Sequence, residues 1–219
     1  QRKKLMNFRL LLIFLIIGSA VRLSGQGDSL HKRNVANAKE FATYFDTTGY
    51  RYVFMMGAYS EADSMWDMDS SRLVLEHLVN DDEFGMRAQF FAAEILFDHC
   101  DWRPEGGLKV KVAKIYAAAL KENYAGIGNP WGIPDDTGDI GEHILDFGQV
   151  LVIEFKPLLR CETPVRYEGS RTATMGMMGK FRVKDIAASY ICAVRGIKFD
   201  ATQDQKGRDK QIKKIRRKI

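Results

Sequence analysis

Asp139, Glu142, His143 and Asp146 fall within nine residues, GDIGEHILD, and His99 stands beside Cys100 in HCDW. On a helix the three acids, at i, i+3 and i+7, share one face with His143 next to it, a set able to hold a cation weakly through carboxylate oxygens. The same acids near a helix start complement the positive end of its dipole, so a solvated acidic face accounts for them without a ligand. A catalytic thiol and its imidazole base meet in space and are seldom adjacent in sequence, so HCDW by itself supplies no nucleophile. The four histidines never occur as HxH or HExxH, and neither a GxSxG elbow, a phosphate loop nor a dinucleotide fingerprint is present. GIGNPWG is glycine-rich but follows no convincing strand. The sequence thus points to no catalytic residue, no metal and no cofactor.

The stretch TPVRYEGSRTAT offers a different chemistry. Arg166 and Arg171 could grip an anion while Tyr167 and Glu168 orient it. The same four residues could instead pair among themselves, with Tyr167 covering the end of a helix pair. If this segment is a binding site, its expected companion is the other long connector, with Trp131, Asp135 and Asp136, because ordered loops on a rigid scaffold are where binding concentrates.

The elements that must position these loops are helical by their periodicity. Ala38, Phe41, Ala42 and Phe45 recur at one-face spacing, as do Val183, Ile186, Ala187, Tyr190, Ile191 and Val194, with Gly196 marking a helix stop. Met86, Phe90, Ala93 and Phe97 line one face of their segment while Phe91 and Ile95 fill another, the pattern of a helix buried all round. QVLVIEF (residues 149–155) is rich in β-branched residues, but a lone strand would lack a partner for its backbone groups, so a helix is expected there, distorted near Pro157. Two long Gly/Pro-rich connectors, 126–139 and 163–180, interrupt the helices. The first is expected to hold no regular structure, and MGMMG in the second is expected to act as a flexible hinge or an adaptable apolar contact.

Arg2, Lys3, Lys4 and Arg9 precede an unbroken apolar run, Leu10 to Ile17, and then small residues. This reads as a signal peptide over residues 1–25, too short to span a bilayer by the rule of about 20 apolar residues. The expected localisation is export to a bacterial periplasm or beyond, with membrane anchoring if the segment is uncleaved. Residues 26–205 are then a single domain. Residues 206–219 carry eight basic side chains against Asp209, so the net charge of +5 conceals an acidic body and a basic end. With Ile212, Ile215 and Ile219 at helical spacing, this end can form an amphipathic helix that either touches an anionic membrane weakly or folds back on the acidic body. No nucleic-acid partner is expected. Three widely spaced cysteines, Cys100, Cys161 and Cys192, form no CxxC and imply neither a disulfide framework nor a metal cluster.

DDEFGMRAQFFAAEIL and GKFRVKDIAASYICAV each carry a polar turn, an Arg and a pair of alanines inside an apolar helix. This resembles the second helix of a HEAT-type repeat, and ILDFGQVLVIEFKPLL is similar to a Gly-led repeat helix ending in Pro-Leu-Leu. From Asp67 to Ile197 the chain further resembles a group of exported or cell-envelope bacterial proteins with HEAT-like helices. The resemblance implies an all-α fold, an irregular HEAT-like superhelix of stacked helix pairs. The extended surface of a helix stack, with no catalytic set in the sequence, points to binding another protein or a cell-envelope component; the alternatives are an enzyme with a site built from the 126–139 and 163–180 connectors, or a peripheral membrane protein using the basic end.

Overall fold

The computed structural model describes residues 33, 35–55, 60–125, 129–134, 136–167 and 171–219, the side chains of 171–173 excepted. The expected leader lies outside the described residues. Helices dominate, as the apolar spacing predicts. They run α1 (residues 35–47), α2 (Tyr50–Phe54), α3 (Glu61–Trp66), α4 (Ser71–Asn80), α5 (Met86–His99) and α6 (Gly106–Glu122). After the first connector come α7 (Asp139–Leu145) and α8 (Gln149–Phe155), and after the second α9 (Arg171–Gly179), α10 (Val183–Arg195) and α11 (Gln205–Lys218). No described helix is long and apolar enough to cross a membrane.

The all-α class follows from where the apolar side chains go. In α5, Phe90, Phe91, Ala92, Ala93, Ile95 and Leu96 are all fully buried, so this helix is enclosed by its neighbours on most sides. Its alanines let those neighbours approach closely. Helices pack in chain order: α4 on α5, α5 on α6, α6 on α8, α8 on α10 and α10 on α11. Residues 149–155 are helical, and the helix gives way to a 3-10 turn, Lys156–Arg160, where Pro157 cannot donate to an α-helical ladder. An aromatic stack ties the two halves of the chain: Phe90 lies parallel to Trp131 with ring centres 6.4 Å apart, and Trp131 meets Tyr190 edge-on at 6.3 Å.

Local chemistry sets the helix ends. Ser60 and Asp63 form a reciprocal cap at the start of α3, and Asp204 accepts from the Gly207 N–H at 2.7 Å to start α11. Gly196, with φ of 62°, ends α10 in the left-handed conformation that glycine tolerates best.

Residues 206–219 form most of α11, and their isoleucines Ile212 and Ile215 are buried where α11 meets α10. A charge network reinforces that contact. Fully buried Asp185 accepts from the Arg182 backbone N–H at 2.9 Å and from the Arg182 guanidinium at 3.0 Å through both oxygens. Arg182 reaches on to Asp209 of α11 at 2.9 Å and to Glu162 at 3.0 Å, and Lys184 binds the same two acids. Arg208, only 2 % exposed, enters from α11: its Nε lies 3.3 Å from Asp185 Oδ1 without hydrogen-bond alignment. Its terminal nitrogens donate to the carbonyls of Gln203 (2.6 Å) and Gly179 (2.8 Å), and it covers the Phe181 ring at 4.9 Å.

Removing one member of such a buried set leaves the others unpaired, a loss of about 3–5 kcal/mol. Arg208→Met, which keeps the aliphatic bulk, is expected to lower stability by about that amount in urea unfolding, whereas exposed Lys210→Met stays within about 0.5 kcal/mol of the parent chain.

Candidate functional site

The two connectors meet. The first is more ordered than its glycines and prolines suggest: a 3-10 turn, Asn129–Trp131, leads into a hairpin of β1 (Gly132–Ile133) and β2 (Asp136–Thr137), antiparallel with Gly132 opposite Thr137. Gly132 has a φ of +73°, and a Cβ there would collide with backbone atoms of residues 136–138, so the hairpin requires glycine at this point. The second connector differs from expectation too. Its MGMMG stretch is part of α9 rather than a hinge, since methionine is a good helix former and no proline interrupts the run.

Tyr167 joins them. Its buried ring lies against Gly176 of α9, where a Cβ would stand 2.5 Å from the ring, and its hydroxyl donates to the Gly132 carbonyl at 2.9 Å. Burial raises the Tyr167 hydroxyl well above its usual range, so it remains a donor. Tyr190 fastens the first connector from the other side, donating to the Trp131 carbonyl at 2.6 Å. The second connector is also laced to the start of α10 by Val165 N–H to Phe181 O and Val183 N–H to Thr163 O, both 2.9 Å.

Beside this junction opens a groove of about 1030 Å³. The first connector supplies Ile133, Pro134 and Asp136 to its wall, α9 supplies Met175 and Met178, and Phe181 stands at its base with Arg208. The segment 201–206 closes the remaining side. Met178 is 79 % exposed, and Met175 and Met177 of the same helix are exposed too, an unusual clustering of large thioethers at a surface. Unbranched, polarizable side chains of this kind can repack around apolar partners of varied shape.

Of the seven residues singled out from sequence, Asp136 lines the groove and Tyr167 supports its wall from behind. Trp131 belongs to the aromatic core, Arg166 is exposed and does not line the groove, and Arg171 opens α9. Asp135 and Glu168 lie outside the described residues. Among the groove residues that sequence reasoning did not name as a site are Met175, Met178, Phe181 and Arg208. The methionine run was the legible signal for two of them.

A second cleft, of about 620 Å³, brings together the two motifs that looked chemical: Glu142, His143 and Asp146 from α7 and its end face His99 and Cys100 from the end of α5. Behind it, reached through His143, is a carboxylate the apolar pattern of α5 concealed. Fully buried Glu94 accepts from Tyr50 at 3.0 Å, from Tyr116, and from His143 Nδ1 at 3.2 Å, while His143 Nε2 lies 3.3 Å from Asp98. Burial alone would pull the imidazole down, but its bonds to Asp98 and Glu94 and their charges outweigh this and raise it to about 10. Both ring nitrogens are engaged, and the ring stacks on Phe97 at 4.9 Å, so His143 is held as a structural cation. The Cys100 thiol donates to the Leu96 carbonyl at 3.1 Å and is pushed up by burial, away from the thiolate that nucleophilic chemistry needs. Among the described residues, no group of three His, Cys, Asp or Glu side chains is placed to hold a metal ion.

No family model, curated protein or solved structure matches the chain.

Because folding raises His143 from its ordinary value near 6.5, its contribution to stability is complete below about pH 6.5 and is lost as pH climbs through about 10. The melting temperature is expected to fall across that window, and His143→Gln should flatten the fall while lowering the plateau below it. Thermal melts by circular dichroism over the same range test this.

Proposed function

We propose that the chain is an exported, non-catalytic binding protein that receives an apolar segment of a partner protein or cell-envelope component in the groove between its two connectors. The observation that carries the reading is the exposure of Met175 and Met178 along a groove of about 1030 Å³ whose base also holds Phe181. A concave site with Ile133, Pro134, Met175, Met178 and Phe181 along one part of its wall and a polar rim from Asp136, Lys180 and residues 202–206 suits an apolar segment with polar flanks. Tyr167, Tyr190 and Arg208 fix the surrounding backbone through carbonyl bonds, so the walls are pre-formed while the methionines adapt.

The packing of helices in chain order, together with the paired alanines of α5 and α10, supports a HEAT-like stacked array as the scaffold, a class of fold suited to holding extended partners. The basic, apolar and small-residue order of the first 25 positions supports export. An enzyme reading gains less: the cleft with the most titratable groups commits its His143 imidazole to two carboxylates, and burial pushes its Cys100 thiol up.

Affinity capture from bacterial envelope extract, with the intact chain as bait, tests this reading. Met175→Asp combined with Met178→Asp is expected to abolish retention of any specific partner, a loss of at least about tenfold for burying two charges in an apolar contact. Met86→Asp, on an exposed position of α5 outside the groove, should leave retention unchanged. Retention unaltered by the double substitution, or no specific partner with the parent chain, would overturn the reading.

A further inference from the structure

A second surface lies where α11 meets the 3-10 turn Lys156–Arg160, and its charge is the opposite of the acidic body's. Lys206, Lys210, Lys213, Lys214, Arg216 and Arg217 are all exposed along α11 and form no ion pair among the described residues. The reason lies in the network beneath them. Asp209, the one acid of α11, is half-exposed but is already paired with Arg182 and Lys184, so its charge acts mainly on them rather than on the outer cations. Hydrogen bonds from Lys184 and Arg182 outweigh the effect of burial and hold Asp209 below the usual carboxylate range. The isoleucines Ile212 and Ile215 are likewise buried, leaving the exposed positions of α11 from Lys206 to Lys218 all cationic. Beside these positions, a groove of about 920 Å³ adds Lys156 and Arg160 to Lys213, Arg216 and Arg217, with Ile153 at its wall; its two acids, Glu162 and Asp209, are both paired with Arg182 and Lys184, so the groove keeps an excess of cations. Lys156 Nζ donates to the Ile219 carbonyl at 2.7 Å and so ties the end of α11 to the turn.

We propose that this face of α11 and the adjoining turn dock the protein on an anionic phospholipid bilayer, with ammonium and guanidinium groups engaging headgroup phosphates. From Lys206 to Arg217 the cations run along about 17 Å of helix, a rise of about 1.5 Å per residue, enough to meet several headgroups at once. Guanidinium groups bond phosphate oxygens in pairs, and Arg160, Arg216 and Arg217 line the groove together. A bilayer fits better than a nucleic acid for two reasons. The groove carries no aromatic side chain on which a base could stack. It does carry an apolar one, Ile153, which is 56 % exposed among basic residues whose aliphatic stems can lie along an acyl boundary. Since the apolar stripe of α11 is already buried in the protein, attachment is electrostatic rather than insertional, and salt reverses it.

Co-sedimentation of the full chain with vesicles of phosphatidylcholine alone, and of equal parts phosphatidylcholine and phosphatidylglycerol, tests the proposal. The chain is expected to prefer the anionic vesicles. That preference should vanish as salt rises from about 0.1 M to about 1 M and the screening length falls from about 10 Å to about 3 Å. Replacing Lys213, Arg216 and Arg217 with Gln should weaken partitioning to anionic vesicles about 100-fold, at about fivefold per cation. A variant with Lys39, Arg51 and Lys114 changed to Gln carries the same change in net charge on exposed positions of α1, α2 and α6 and should bind as the parent does. Equal partitioning of the parent chain to both vesicle types, or equal weakening by the two variants, would overturn the proposal. So would retention on duplex DNA at a salt concentration that releases the vesicles. The salt series on the unaltered chain decides the matter even if the triple substitution loosens α11.

Discussion

Asp185 sits at 0 % exposure between two guanidinium groups, and the placement of the last third of the chain depends on it. Taking a carboxylate and two guanidinium groups out of water costs several kcal/mol for each ion, so the set persists only because nearly every polar atom is answered. Arg182 answers it from the start of the same helix with two parallel bonds, and the Arg182 N–H adds a third. Arg208 brings α11 to the same point and spends its remaining donors on the carbonyls of Gly179 and Gln203. One buried acid therefore connects α10, α11, the end of α9 and the loop before α11.

Both binding surfaces are consequences of this arrangement. Arg208 and Phe181 form the base of the methionine-lined groove, so the groove exists where the guanidinium holds α9 and segment 201–206 apart at a fixed distance. On the other side of α11, its only acid, Asp209, is paired with Arg182 and Lys184, which leaves the exposed cations of the helix in excess. The acidic body and basic end seen in the sequence are thus not independent patches. The acids nearest α11, Asp209 and Glu162, are paired with Arg182 and Lys184 in seating it, and the cations along its exposed positions outnumber them. The buried Glu94 hub does comparable work in the first half, joining α2, α5, α6 and α7 through Tyr50, Tyr116 and His143.

Periodicity made the helices legible because a helix that buries one face must repeat its apolar residues every three to four positions. Ala38, Phe41 and Phe45 in α1 and Ile186, Tyr190 and Ile191 in α10 are buried as their spacing requires. The helix over 149–155 was legible by elimination, since no second strand was available to pair with it. What spacing could not convey were partnerships between distant residues. Glu94 looks like a polar interruption in an apolar helix, and its donors lie 44, 22 and 49 residues away. Arg182 and Asp185 stand at i, i+3, a spacing that by itself implies no more than a modest helix contact, and nothing in it announces the arrival of Arg208 and Asp209 from α11. The hairpin at Gly132 was hidden because it depends on a close backbone approach, and glycine content alone reads as disorder. Tyr167 was found for its position in a loop, yet its partner, a carbonyl in the other connector, leaves no mark in sequence.

Amide hydrogen exchange in Asp185→Asn tests most directly whether one buried carboxylate seats the C-terminal helix. If it does, the amides of α11 and of segment 200–204 lose protection while those of α4, α5 and α6 keep theirs. Unchanged protection throughout α11 would mean that Ile212 and Ile215 hold it without help, and the dependence of both surfaces on Asp185 would be contradicted.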